Sequence, residues 1–402
     1  MSSPKQLIDT LSAVQGNNNL SDSDRRALLA SARALCLNLE TPWESLQRMV
    51  WHQPAQLAAL KICSDLQLFQ KWQAATAEQQ TPQQLCALLG KDACDPALLG
   101  KISNESARLL RLLAVTNLLD NPLPNHYAQT PFTLAFTSSP AFPAALRYFE
   151  HIQSHVLHAL PTHLACLRYR NPSSADLPCF QFALRSPVPA FQWLAARPDD
   201  QRDFGQLMRM YAGMQTPWVD IFPTEALLEG DDGKGPLLVD VGGGIGHDLV
   251  HFAKKHPGAA GPRLVLQDNA GVVAQTVVKP EIGTAMAHDF FTPQTVKGAS
   301  AYFLHSVLHD WTDDDSRKIL GHLRDAMVPK RSRLLIHEIV IQEQGGSIDT
   351  AASDIVMMAT LGAKERSEEA WRSLLSSAGF VIQHIYRTAA SGQSVIEAVV
   401  AE

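Results

Sequence analysis

The chain has 402 residues, 46% hydrophobic and 18% charged, with 24 prolines and 23 glycines. That is a globular composition with room for two or more domains. The net charge of -6 leaves no basic footprint for nucleic acid or an anionic membrane. The six cysteines (Cys36, Cys63, Cys86, Cys94, Cys166, Cys179) show no CxxC pair and read as reduced thiols. No signal-peptide core or membrane-length apolar run is present, so a soluble cytoplasmic protein is expected.

Residues 1–138 read as a helical domain. Across 41–72 the apolar residues recur at helical spacing: Trp43, Leu46, Met49, Val50, Leu57, Leu60, Ile62, Leu66, Leu68 and Phe69. Segment 81–89 opens with Thr-Pro, a helix-start signal. Residues 103–119, rich in Leu and Arg, form another helix, and 126–138 reads as a hairpin with a proline-bearing turn. Helix, helix, helix, hairpin is the order of a winged helix. A DNA-binding winged helix needs a basic recognition helix, and 81–89 has no Lys or Arg. The apolar helices are instead expected to bury against a second copy, giving a homodimer.

Residues 139–230 form a second helical stretch, broken by prolines near 171–178 and 187–198. Most of its aromatics and methionines belong to a core. A minority, with Met210 and His151 as candidates, line a pocket for a flat apolar ligand. His151 and His155 stand four apart, which is also metal-ligand spacing, but no carboxylate or cysteine accompanies them and no metal is expected.

Residues 231–402 alternate strand and helix. Segment 237–246 reads LLVDVGGGIG, a buried parallel strand breaking into a glycine turn. The dinucleotide fingerprint G-x-G-x-x-G would need glycine at His247. The chain offers Asp240-x-Gly242-x-Gly244-x-Gly246, and an acidic strand end suits a cationic or hydroxyl-rich ligand better than a pyrophosphate. A helix over 248–255 follows, then a strand over 263–267 ending at Asp268, where an acidic residue binds ribose hydroxyls or caps a helix. Asp289 precedes Phe290 and Phe291, a pattern suited to an adenine ring. Residues 301–308 read as a strand delivering His309-Asp310-Trp311 to the carboxyl edge of a parallel sheet. A helix over 315–327, a strand over 333–341 bearing Glu338, a helix over 350–358, the segment GAKERS at 362–367 and a helix around Trp371 complete the run.

Taken in order, VDVGGGIG, LQD, HDF, LHDWTDD and GAKERSEEAW…LLSSAGF resemble the fungal and plant small-molecule O-methyltransferases of the class I, S-adenosylmethionine-dependent type, related to caffeate and flavonoid methyltransferases. The resemblance spans nearly the whole chain. It implies a Rossmann-like α/β catalytic domain over 231–402 behind a winged-helix-like dimerisation domain, with S-adenosyl-L-methionine as cofactor and a small-molecule substrate. It also implies that Asp240, Gly242 and Gly244 contact the methionine side of the cofactor, Asp268 its ribose, and Asp289 and Phe290 its adenine, with Asp310 and Trp311 packing on it. His309 is then the general base, oriented by Glu338 and Glu365, and Met357 clamps an aromatic acceptor. The ribose segment departs from the family, reading QDNAGVV in place of a leucine-proline pair. The expected reaction is methylation of an aromatic or polyketide-like hydroxyl. The alternative keeps the cofactor but uses its charge in a pericyclic ring closure or dehydration without methyl transfer.

Overall fold

The structure is a computed structural model that describes residue 6 and residues 20–90, 96–99, 108–172, 176–229, 231, 233–343, 346–388 and 393–402. The chain divides into two compact units, Met1–Ser139 and Pro140–Glu402.

In the first unit, α1 (Asp22–Leu39) precedes α2 (Pro42–Gln47), which runs through a π-helical turn at Arg48–His52 into α3 (Gln53–Asp65). There follow α4 (Leu68–Ala74), β1 (Gln79–Gln80), α5 (Pro82–Leu89), α6 (Pro96–Leu99), α7 (Arg108–Val115), β2 (Leu119–Leu123), β3 (His126–Gln129) and α8 (Pro131–Ser138). The three strands pair antiparallel in the order β1-β3-β2. Leu60, Cys63, Leu68, Phe69, Trp72, Leu85, Leu110, Leu113 and Phe136 are buried.

Two expectations are corrected here. The hairpin lies over 119–129, not 126–138, and turns at Asn125 with φ 60°. Residues 131–138 are helical because Thr130-Pro131 repeats the start signal used at Thr41-Pro42 and Thr81-Pro82. In all three the threonine hydroxyl accepts the N–H three residues on. The helix expected over 103–119 is seen at Arg108–Val115 and gives way to β2, while 103–107 lie outside the described residues.

The second unit begins with a helical layer: α9 (Ala141–Tyr148), a π-helical turn at Phe149–Gln153, α10 (Ser154–Cys166), α11 (Cys179–Leu184), α12 (Ala190–Ala195), α13 (Pro198–Gly213) and α14 (Trp218–Ile221). A sheet follows, with β4 (Leu238–Val241), α15 (His247–Lys255), β5 (Leu264–Asp268), α16 (Ala270–Val273), β6 (Thr284–Ala287), β7 (Ala301–His305), α17 (Asp313–Arg324), β8 (Arg333–Ile341), α18 (Ile348–Leu361), β9 (Arg366–Ser367), α19 (Glu368–Ser377), β10 (Phe380–Arg387) and β11 (Gln393–Val400). The strand order is β10-β11-β8-β7-β4-β5-β6, and β9 pairs with β8. Strands β4 to β8 are parallel, while β11 and β10 are antiparallel. Val239, Val241, Leu264, Leu266, Tyr302, Leu304, Leu334 and Ile336 are buried, as strands covered on both faces require.

The chain reverses its direction of sheet growth between β4 and β7. The crevice outside those two carboxyl ends is where open α/β sheets bind ligands. The strand expected over 301–308 stops at His305. Ser306 then takes a positive φ of 51° and a 3-10 turn carries Leu308–Asp310. The next helix starts at Asp313, two residues earlier than expected, because Thr312 caps it by accepting from the N–H of Asp315.

Candidate active site

The glycine loop supplies one wall. A Cβ at Gly242 would lie 2.9 Å from Val307 and 3.4 Å from Phe290, so only glycine allows that approach. Gly244, with φ 60°, would meet nothing within 4 Å, so the loop opens onto free space at that point. Its N–H donates to Asp268 Oδ2 at 2.8 Å, and the N–H of Asn269 donates to Oδ1 at 2.7 Å. Asp268 therefore ties the loop to the end of β5, and it is not a helix cap. Asp240 is wholly buried and neither carboxylate oxygen has a hydrogen-bond partner. Burial, with Asp248 and Asp268 nearby, raises its pKa well above the ordinary carboxylate value. An orphaned buried carboxylate under an open glycine loop is an invitation to a cationic or hydrogen-donating ligand.

Aromatic rings form the next wall. Trp311 meets Phe291 edge-on at 4.7 Å and Phe290 at 5.9 Å. Asp289 is exposed and accepts the N–H of Phe291 at 2.9 Å. Asp248 accepts from or pairs with His305 Nδ1 at 2.7 Å, His305 Nε2 lies 3.1 Å from Gln215, and the His305 ring stacks on the buried His337 at 4.1 Å.

His309 stands on the 3-10 turn that follows β7. Its Nδ1 lies 3.0 Å from Glu365 Oε1, within hydrogen-bond reach, and 3.8 Å from Glu338 Oε2, which is not. Its Nε2 lies 3.4 Å from Asp310. The two glutamates thus divide the work. Glu365 Oε1 holds the imidazole and also accepts from Ser353 at 2.7 Å. Glu338 Oε1 accepts the N–H groups of Val307 and Leu308 at 2.9 and 2.8 Å, with that of His309 at 3.4 Å. Burial lowers the pKa of His309, but the charges of Glu338 and Asp310 and the Glu365 hydrogen bond outweigh it and raise the value to about 10. Burial pushes Asp310 up to about 7 despite the imidazole beside it. Burial also raises Glu338. The imidazole and both glutamates offer atoms within 4.8 Å of one another, but one oxygen of each carboxylate is already engaged by backbone, imidazole or hydroxyl donors.

The structure gathers Asp240, Gly242, Gly244, Asp268, Phe290 and Trp311 about the glycine loop, and His309, Asp310, Glu338 and Glu365 into a second cluster on the turn whose Val307 packs against Gly242. Met357 is half-buried on α18 one turn beyond Ser353, the residue that bonds Glu365. Met210 packs against the helical core that includes Phe180 and Ala359. His151 is exposed within the π-helical turn, so the regular i,i+4 register with His155 does not hold. Sequence reasoning missed Asp248, His305, Ser353, Asp354 and Arg366. Asp354 accepts the N–H of Glu365 at 2.9 Å. The i,i+12 relation of Ser353 to Glu365 carries no local signal.

The fold and this donor set define a class I methyltransferase-like enzyme domain. A family model described as an O-methyltransferase domain matches residues 194–381. The O-methyltransferase mfmE of Annulohypoxylon moriforme is 36% identical over 99% of this chain and 96% of its own length. The structure of LepI in complex with S-adenosylmethionine superposes with a TM-score of 0.86 at 29% identity, covering 99% of this chain and 100% of that one. A structure described as a pericyclic reaction enzyme matches with a TM-score of 0.84 at 28% identity, covering 98% and 100%. The chain belongs to the S-adenosylmethionine-dependent O-methyltransferase family, and S-adenosyl-L-methionine is its cofactor. Among the described residues no helix is long and apolar enough to cross a membrane.

Proposed function

We propose that the chain methylates a hydroxyl of an aromatic or polyketide-like secondary metabolite, as a cytoplasmic homodimer, with His309 as general base. The observation that carries this reading is the His309–Glu365 pair at the end of the turn after β7. Glu365 accepts from Nδ1, which leaves Nε2 as the ring atom able to take a proton from an acceptor hydroxyl, the division of labour of a His–carboxylate pair. When bound, S-adenosylmethionine supplies an electrophilic methyl on a cationic sulfur. Asp240, the Gly242 and Gly244 backbone and Asp268 would hold its polar parts, Asp289 and Phe290 its adenine, and Asp310 and Trp311 would pack on it. The buried, unpartnered carboxyl of Asp240 suits a cationic or hydrogen-donating group of the cofactor. In the ligand-free chain His309 is held as the imidazolium. A second positive charge lowers an imidazole's pKa, so His309 moves toward its neutral, basic form once the cofactor is loaded. Met357 and the helical layer of the same unit bound the acceptor side, with Met210 and His151 as further candidates. The three-stranded sheet and helices of the first unit support a winged-helix reading for it.

His309→Ala is expected to lower methyl transfer roughly 10²–10⁴-fold, the usual worth of a positioned general base, with cofactor binding by calorimetry retained. Undiminished turnover in the variant would remove His309 from this role. A second reading rests on the likeness to the pericyclic reaction enzyme: the cofactor's charge would stabilise a ring closure and its methyl would never move. The base-and-carboxylate pair supports methyl transfer over it.

A further inference from the structure

One buried cation faces the turn that carries His309. Arg366 is 1% exposed at the start of β9. Its Nη1 donates to the carbonyl of Leu308 at 2.8 Å and its Nη2 to the carbonyl of Trp311 at 2.9 Å, the two peptide oxygens that bracket His309 and Asp310. Nε and Nη2 also donate to Asp313 Oδ1 at 3.0 and 2.9 Å, and Nη2 to Ser316 at 3.3 Å. The guanidinium carbon lies 5.2 Å from the Trp371 ring centroid. On the opposite side of the same turn, Glu338 takes the N–H groups of Val307, Leu308 and His309. The turn therefore runs with its amides on a buried carboxylate and its carbonyls on a buried guanidinium.

Neutralising Asp313 does not account for this arrangement. Lys364 already reaches the other oxygen of Asp313 at 2.7 Å, and burying a guanidinium is costly. Donors aimed at main-chain carbonyls add shape to the turn, and only the planar fork of arginine can reach two carbonyls and a carboxylate at once.

We propose that Arg366 is a positioning residue for His309, clamping the Leu308–Asp310 turn from its carbonyl side while Glu338 clamps it from its amide side. The neighbouring Glu365 orients the ring, so two consecutive residues set both the backbone and the side chain of His309. The inference rests on the reading of His309 as the base. The charged groups facing His309 are Glu338 from β8, Glu365 from the segment before β9, and Asp310 from the turn itself. Those facing Arg366 and its partner are Asp313 and Lys364.

The test compares Arg366→Lys and Arg366→Gln in the full chain. In ¹⁵N-histidine NMR without acceptor, Arg366→Gln should lower the His309 titration midpoint, because the released turn carries the ring away from Glu338 and Glu365, which raise its pKa. Arg366→Lys keeps the charge and a donor to the turn, so its midpoint should fall less than that of Arg366→Gln. It loses the fork, so its turnover should fall at least about tenfold with KM for S-adenosylmethionine unchanged, the signature of a misplaced catalytic group. A folded Gln variant with the wild-type midpoint would overturn the proposal. Should that variant fail to fold, wild-type turnover in Arg366→Lys would overturn it equally. If the wild-type enzyme transfers no methyl group, the functional reading fails while the NMR comparison still decides the role of Arg366.

Discussion

His309 sits among three carboxylates, and that crowding has a consequence for the protein without ligand. A histidine whose folded pKa is raised, here from 6.5 to about 10, stabilises the fold fully below its unfolded value and loses that contribution as pH rises through the folded one. Asp310, raised from 3.8 to about 7, acts in the same direction at lower pH. The cofactor-free protein is therefore expected to lose melting temperature between pH 7 and 10 more steeply than His309→Gln, which has no proton to lose there. Parallel curves for the two proteins would show that the imidazole is not held charged. His337 contrasts with this within the same sheet. Burial and the adjacent His305 push its pKa well below 6.5, and neither ring nitrogen has a hydrogen-bond partner. His309 on the turn beyond β7 and His337 within β8 are thus driven in opposite directions by what faces them.

At the scale of elements, capping decides where helices begin. Thr41, Thr81, Thr130 and Thr312 each accept from the N–H three residues on, a bond worth about 1 kcal/mol. Exposed pairs such as Arg202–Asp199 contribute well under about 1 kcal/mol, so caps and packing set these boundaries. Helices α2 and α3 with the π-helical turn between them carry an uncovered face: Trp43 is 63% exposed, Met49 53%, Val50 64% and Trp51 65%. So much contiguous apolar surface is expected to be covered by a second copy. Light scattering at micromolar concentration should give a dimer mass, and Trp51→Asp should shift it toward monomer. A monomeric mass for the unmodified protein would refute the assignment.

These same elements show what a sequence reader could see. The parallel strands β4, β5, β7 and β8 were legible because they are apolar on both faces, and the glycine turn because its spacing is restrictive, whereas the half-exposed β6 carries no such run. The boundaries that failed lie where short-range chemistry overrides periodicity. Thr130-Pro131 starts a helix inside what reads as a hairpin, and Ser306 adopts a left-handed conformation that ends β7 three residues early. His309, Glu338 and Glu365 were within reach through family resemblance. Their separate duties were not, because a carboxylate on an imidazole and one on three amides look alike in sequence. Arg366 stands within GAKERS with no local sign of its role, since its partners are main-chain oxygens some 55 residues away.

For the whole molecule, two chemistries share one fold. An open glycine loop over an orphaned acid, an aromatic wall and an oriented histidine would serve a methyl donor, and the same cofactor charge would serve a ring closure. The relative at 36% identity is an O-methyltransferase and the structural neighbour at 28% identity is described as a pericyclic reaction enzyme, so likeness alone does not separate them. Consumption of the cofactor does. With methyl-labelled S-adenosylmethionine and an extract or compound that yields product, S-adenosylhomocysteine should accumulate one for one with product, and the label should appear on the product oxygen. Product formed without S-adenosylhomocysteine, with all label still on the cofactor, would contradict the account.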